Sequence, residues 1–200
     1  MRRKIFTITE KSEIEEILHD VEYGILSMCN YDNTPYSIPL NFAYANNTIY
    51  FHGAKEGEKL KILKNNNHVS FTVVDAISFI PSYFSANNLA CYAVYFFKSV
   101  IIKGKIEFIN EYNEKIHALS KFMEKFQKEG KYIPFDNEVY KNLIEATLIY
   151  KLIPTKISAK FKFGQDLSKE RFEEIIKNLK ERGTKKDIET IKLMEKYKPF

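Results

Sequence analysis

The 200-residue sequence has no tryptophan and only two cysteines, Cys29 and Cys91, far apart in the chain. No C-x-x-C pair occurs, and no histidine accompanies either thiol at metal-ligand spacing. That excludes a zinc ribbon and a disulfide-stapled scaffold, and it points to a reducing compartment. No apolar run reaches the roughly 18 residues of a membrane-spanning helix. The charged start Met1-Arg2-Arg3-Lys4 is not followed by the apolar stretch of a secretory signal, so a cytoplasmic protein is expected. Repeats and low-complexity tracts are also lacking, which excludes solenoids and long disordered linkers.

What is present fits an ordinary globular chain. Hydrophobic residues make up 44% and charged residues 28%, close to the globular average. A chain of this length buries about 70% of its unfolded surface and needs no covalent staples. The 31 Lys and Arg outnumber the 26 Asp and Glu, a net charge of +5. This mild excess suits a phosphate-bearing ligand, but it speaks first to solubility. It also leaves a nucleic-acid-binding regulator conceivable. The acidic residues Glu170, Glu173, Glu174 and Glu181 interrupt the Lys-rich tail, so no continuous basic stripe forms and nucleic acid is disfavoured as a partner.

Hydrophobic periodicity orders the elements. Ile14, Ile17, Leu18 and Val21 recur at helical spacing, and Ser12 with Glu15 has the form of a capping box. Extended segments follow at Ile25–Cys29, Tyr36–Tyr44 and Thr48–His52, separated by turns rich in Asn and Asp: an antiparallel meander. Pro39 cannot donate to a ladder and must lie at an edge or bulge. A short helix is expected from Gly57 to Lys64, then a strand over His68–Val74 and a loop or flap over roughly 76–90. Two further strands, Cys91–Phe97 and Ser99–Ile109, carry Gly104 as a bulge. Asn110 is expected to cap a helix bearing Ile116, Leu119, Met123 and Phe126, and Thr147–Ile153 reads as the last strand. Ser168 and the pair Thr184 with Asp187 mark two C-terminal helices. The fold expected is α+β: an antiparallel split β-barrel of about six strands with flanking helices over 1–165, and a helical extension over 166–200 packed on it.

One segment has chemistry in its spacing. In Tyr50-Phe51-His52-Gly53-Ala54-Lys55-Glu56-Gly57-Glu58-Lys59-Leu60 a strand ends, two glycines bracket a tight loop, and a helix begins with a lysine in its first turn. Unpaired N–H groups at a helix start attract anions, and glycines let the backbone approach a ligand. His52 and Lys59 add side-chain donors. The pattern matches neither a Walker loop nor a dinucleotide fingerprint, so a phosphate cradle and a plain strand-to-helix connection both remain open. The aromatics Tyr92, Tyr95, Phe96 and Phe97 suit a barrel core or dimer interface better than a stacking platform. His19, His68, His117 and both cysteines read as ordinary structural residues.

Taken together, Pro35-Tyr36-Ser37-Ile38-Pro39-Leu40-Asn41-Phe42, Ile49-Tyr50-Phe51-His52-Gly53-Ala54 and Gly57-Glu58-Lys59 resemble the pyridoxamine 5′-phosphate oxidase-like family of FMN-binding split barrels. The likeness is greatest to its nitroimidazole-resistance, nitroreductase-like branch. It continues at Lys98-Ser99-Val100-Ile101-Ile102-Lys103-Gly104-Lys105 and at Leu179-Lys180-Glu181-Arg182-Gly183, which resembles the family's helical tail. The resemblance implies FMN as cofactor, bound in a groove of a homodimer. Ile38, Pro39, Leu40 and Asn41 would lie along the isoalloxazine ring, and the Asn41 amide would read its polar edge. Phe51 and His52 would meet the ribityl chain and phosphate, Gly57, Glu58 and Lys59 would form the phosphate loop, and Ser99 would be a further flavin contact.

The implied activity is that of an FMN-dependent oxidoreductase, using reduced nicotinamide and passing electrons to a small acceptor such as a nitroaromatic compound. His52 is the one candidate proton donor, a role that competes with a simple phosphate or ribityl contact. A flavin- or haem-binding carrier or sensor without turnover is the alternative. Glu58 departs from the basic residue many members carry there and opposes phosphate unless it points away. The C-terminal arginine and histidine signature of vitamin B6 oxidases is absent, so their substrate is not implied. No metal site is expected.

Overall fold

A computed structural model of the chain describes residues 3–85 and 89–200. In chain order the elements are β1 (Thr7–Ile8), α1 (Lys11–Asp20), β2 (Tyr23–Cys29), β3 (Pro35–Asn41), β4 (Ala43–Ala45), β5 (Thr48–Gly53) and α2 (Glu58–Asn65). There follow β6 (His68–Ile80), β7 (Val94–Ile109), α3 (Tyr112–Phe126), α4 (Lys141–Ala146), β8 (Leu148–Lys162), α5 (Lys169–Arg182) and α6 (Lys185–Lys196). The chain forms two compact units. One comprises Glu10–Val73 with Val100–Ser158, the other Met1–Thr9, Val74–Ser99 and Ala159–Phe200.

The sheet runs in the order β3-β2-β6-β7-β8-β5-β4, with β1 added on β8. In the first unit its topology makes a split barrel. β3 and β4 stand at opposite ends of the strand order, yet only Phe42 separates them in sequence. Consecutive Cα atoms are about 3.8 Å apart, so the two end strands must come within about 8 Å of each other there. No ladder joins them, and the barrel stays open along that seam. Phe42 plugs it from inside, fully buried and edge-on to Phe71 at 5.0 Å. Leu26, Phe51, Phe71, Val73, Ile102 and Leu152, alternate residues on their strands, complete this core. Pro39 lies on the end strand β3, opposite Ile25, the kind of edge position to which proline is confined in sheets.

The α+β split barrel holds, with eight strands rather than about six. The expected strand over Tyr36–Tyr44 breaks at Phe42 into β3 and β4. The runs Cys91–Phe97 and Ser99–Ile109 join into the single strand β7, and Cys91 sits in a 3-10 turn before it. Gly104 lies within β7, where a Cβ would collide with the Ile153 carbonyl, so the glycine answers a close backbone approach. β6 extends to Ile80, and the consecutive burial of Ile77 and Ser78 breaks the alternation a strand normally displays. Of the loop expected over 76–90, residues 86–88 lie outside the described residues. β8 continues past Ile153 through Pro154. Its pairing with β5 ends at Leu152, so the proline meets no β5 partner.

The helix ends divide similarly. Ser12 lies inside the first turn of α1 and donates to Glu10 at 3.2 Å; Glu10 is the N-cap residue and no capping box forms. Glu111, not Asn110, occupies the N-cap of α3. In the second unit the Ser168 hydroxyl caps α5, and Thr184 with Asp187 makes the reciprocal box of α6.

Candidate functional site

The candidate site grows from the end of β5. Tyr50 and Phe51 are buried, and the exposed His52 follows them. Phe51 stacks on Tyr150 of the neighbouring strand β8 at 5.2 Å and meets Phe71 edge-on at 5.1 Å. Register places Phe51 opposite Tyr150, His52 opposite Ile149 and Gly53 opposite Leu148. The His52 ring lies edge-on to Phe122 of α3, 4.7 Å between centroids. The chain then turns through residues 54–57 into α2. Gly57 is its N-cap at φ +111°, a conformation that side-chain-bearing residues rarely adopt. Burial of Leu60, Ile62 and Leu63 holds α2 against the barrel and fixes its first turn.

Lys59 projects from that turn across Gly53. Its Nζ is 5.0 Å from the Tyr150 ring centroid and 3.1 Å from where a Cβ on Gly53 would stand. Among the described residues Lys59 makes no salt bridge and no hydrogen bond. Burial pushes its pKa down. The His52 pKa is also pushed down, first by desolvation and then by the charge on Lys59. Both groups therefore sit where positive charge is disfavoured, and an anion placed between them would reverse both shifts. Glu58 is exposed, and successive helical positions lie about 100° apart, so its carboxylate leaves the helix in another direction from the half-buried Lys59. The residues thus suit a phosphate: an unpaired cation, open backbone at Gly57, and no carboxylate against the ammonium.

The other expected residues stand as follows. Ile38, Leu40 and Asn41 are half-buried and Pro39 is exposed on the end strand β3, with Asn41 opposite Tyr23. Two residues beyond Asn41, β4 begins its pairing with β5, Ala43 opposite Tyr50. The structure thus places Phe51, His52, Gly57, Glu58 and Lys59 along one strand-to-helix turn, and β3 is joined through Phe42 to β4, the partner of β5. Ser99 belongs to the other unit, where its hydroxyl donates to the Lys160 carbonyl at 3.4 Å. In that unit Arg171 lies 4.1 Å over the Tyr92 ring, Lys160 lies over Phe97, and Tyr95 is exposed beside Phe79. Sequence reasoning missed Tyr150 and Phe122, both distant in the chain; only strand pairing and helix packing bring them in. The Tyr150 hydroxyl is buried without a hydrogen-bond partner, and burial raises its pKa strongly.

Among the described residues no group of His, Cys, Asp and Glu is arranged to hold a metal ion. No helix among them is long and apolar enough to cross a membrane.

No functionally curated protein matches the sequence. A protein from Bacteroides thetaiotaomicron, named for 5-nitroimidazole antibiotic resistance, is similar in structure: TM-score 0.64 and 25% identity, over 77% of this chain and 85% of that one. The FAD and heme binding protein from Mycobacterium smegmatis shares the fold, with TM-score 0.63 and 16% identity over 78% of this chain and 73% of its own. So does the flavocytochrome Anf3 from Azotobacter vinelandii, with TM-score 0.61 and 20% identity over 78% and 69%. The family model for pyridoxamine 5′-phosphate oxidase matches residues 10–161, which takes in β2 to β5, the glycine-bracketed loop and Lys59. The chain belongs to the pyridoxamine 5′-phosphate oxidase family.

Proposed function

We propose that this chain binds FMN and acts as a flavin-dependent oxidoreductase. The observation that carries the reading is Lys59: a half-buried ammonium at the head of α2 that lies over the Tyr150 ring and, among the described residues, has no salt bridge or hydrogen bond. A cation–π contact contributes about 0.5–2 kcal/mol, less than a charge-assisted hydrogen bond to phosphate. Lys59 and the N–H groups of the α2 first turn hold the phosphate, and Gly57 lets the backbone come close. Across the seam, the Asn41 amide and the free backbone edge of Ile38, Pro39 and Leu40 orient the ring. Desolvation and the charge on Lys59 lower the His52 pKa, and an anion that offsets Lys59 makes the imidazole easier to protonate. Bound flavin supplies hydride and electron transfer, from reduced nicotinamide to a small acceptor. The relative named for 5-nitroimidazole resistance favours a nitroaromatic acceptor.

A homodimer fits the same site. Tyr23 is 60% and Ile25 42% exposed on β2, opposite Asn41 and Pro39 of the proposed flavin strand. Exposed apolar side chains beside a ligand strand favour cover by a second copy. Light scattering is expected to give about twice the 23.5 kDa chain mass; a monomer carrying stoichiometric flavin would remove the shared groove. The visible spectrum of the purified protein tests the cofactor, with flavin bands expected and haem bands or none against. Steady-state consumption of reduced nicotinamide with a nitroaromatic acceptor tests the enzyme, and tight flavin binding without turnover would make it a carrier.

A further inference from the structure

Lys55 sits in the middle of the loop between Gly53 and Gly57, but its ammonium does not face Lys59. Its Nζ donates to the carbonyl of Glu145 at 2.8 Å, at the C-terminal end of α4. The last carbonyls of a helix lack intrahelical donors and carry its partial negative charge. The end of α4 is served by a second lysine. Lys115 of α3 is only 8% exposed and donates to the carbonyls of Ile144, Glu145 and Thr147 at 3.2, 3.4 and 3.0 Å. Burial and then the charge on Lys55 lower the Lys115 pKa, while Glu145 opposes them. Two ammonium groups therefore share the Glu145 carbonyl despite their repulsion. Immediately after this helix end, β8 begins at Leu148, opposite Gly53.

We propose that Lys55 is a positioning residue for the phosphate site: by binding the end of α4 it sets the 54–57 loop, and through Gly57 the first turn of α2 that presents Lys59. The loop has a ladder partner at one end, Gly53, and a helix cap at the other, Gly57. Between them, among the described residues, only the Lys55 side chain bonds to anything. Removing that bond frees residues 54–56, which join the end of β5 to the N-cap of α2. The effect on phosphate then runs through the loop and Lys59, not through a direct contact of Lys55 with the ligand.

This inference rests on the FMN reading above, and its test separates the two. FMN and riboflavin are titrated by fluorescence quenching against wild type, Lys55→Met, Lys55→Arg, Lys59→Ala and the Lys55→Met/Lys59→Ala double variant. Lys55→Met is expected to weaken FMN about tenfold and to leave riboflavin within about twofold. Lys55→Arg, which still reaches a carbonyl, restores most of the affinity. In the Lys59→Ala background the Lys55→Met change costs less than about twofold, since residues acting as one unit are not additive. A further tenfold loss in that background would mean that Lys55 touches the phosphate itself and would overturn the proposal. So would unchanged FMN affinity, or equal losses for both flavins. A wild type that binds FMN no tighter than riboflavin would refute the phosphate reading itself.

Discussion

Replacing Gly53 by alanine should make the protein slightly more stable and a poorer FMN binder. Within 4 Å a methyl group at position 53 meets one group, the Lys59 ammonium at 3.1 Å. That separation is a few tenths of an ångström too short, and the lysine, free at its end, gives way rather than the backbone. Gly53 is not among the positive-φ glycines, so alanine is unstrained there. Such a replacement reduces the freedom of the unfolded chain and stabilises by about 0.4–1 kcal/mol, roughly 1–4 °C in melting temperature at this size. A charge-assisted hydrogen bond contributes about 1.5–3 kcal/mol. Losing half of it through displacement of Lys59 weakens FMN roughly threefold to twelvefold. Thermal melts of the apoprotein and fluorescence titrations with FMN and riboflavin read the two effects separately. Unchanged FMN affinity, or an equal loss for riboflavin, would refute the placement of Lys59 at the phosphate.

Asn41→Ala is expected to remove one or two hydrogen bonds of about 0.5–1.5 kcal/mol each to the ring edge, weakening FMN and riboflavin alike while the melting temperature holds. An unaltered bound-flavin spectrum would move Asn41 out of the site. In the second unit, Asp187 is fully buried, accepts from Arg182 Nε at 2.9 Å and from the Thr184 N–H at 3.0 Å, and is held down to about 2 from the usual 3.8, chiefly by Arg182. A folded pKa below the unfolded one stabilises above the unfolded value and loses its effect as pH falls through the folded one. Asp187→Asn should therefore lose about 2 kcal/mol at neutral pH, and the deficit should vanish between about pH 4 and 2. Denaturant unfolding across that range checks it, and a deficit independent of pH would assign the loss to packing.

The parts of the molecule legible in sequence are those governed by near neighbours. Ser168 and the Thr184–Asp187 box mark helix starts because their bonds close within three residues. The Gly53-to-Lys59 turn is legible for the same reason. Ser12 misleads because the side chain alone does not reveal which residue the helix takes as its first. The continuation of β8 beyond Pro154 depends on where β5 stops, and that is a property of the sheet. Tyr150 enters the site through strand register, and the partner of Lys55 is a backbone carbonyl, which has no signature in a sequence. Glu58, which the residue string alone sets against phosphate, is exposed and makes no salt bridge with Lys59, because successive helical positions diverge by about 100°.

The most direct test is Lys59→Ala titrated with FMN and riboflavin in parallel. The two flavins differ by one phosphate of charge near −2 at neutral pH, so a group that holds the phosphate affects one ligand and not the other. FMN should weaken roughly 10- to 150-fold, the span of a charge-assisted hydrogen bond, with riboflavin nearly unchanged. Equal losses for the two flavins, or no loss for either, would contradict a phosphate site at the head of α2.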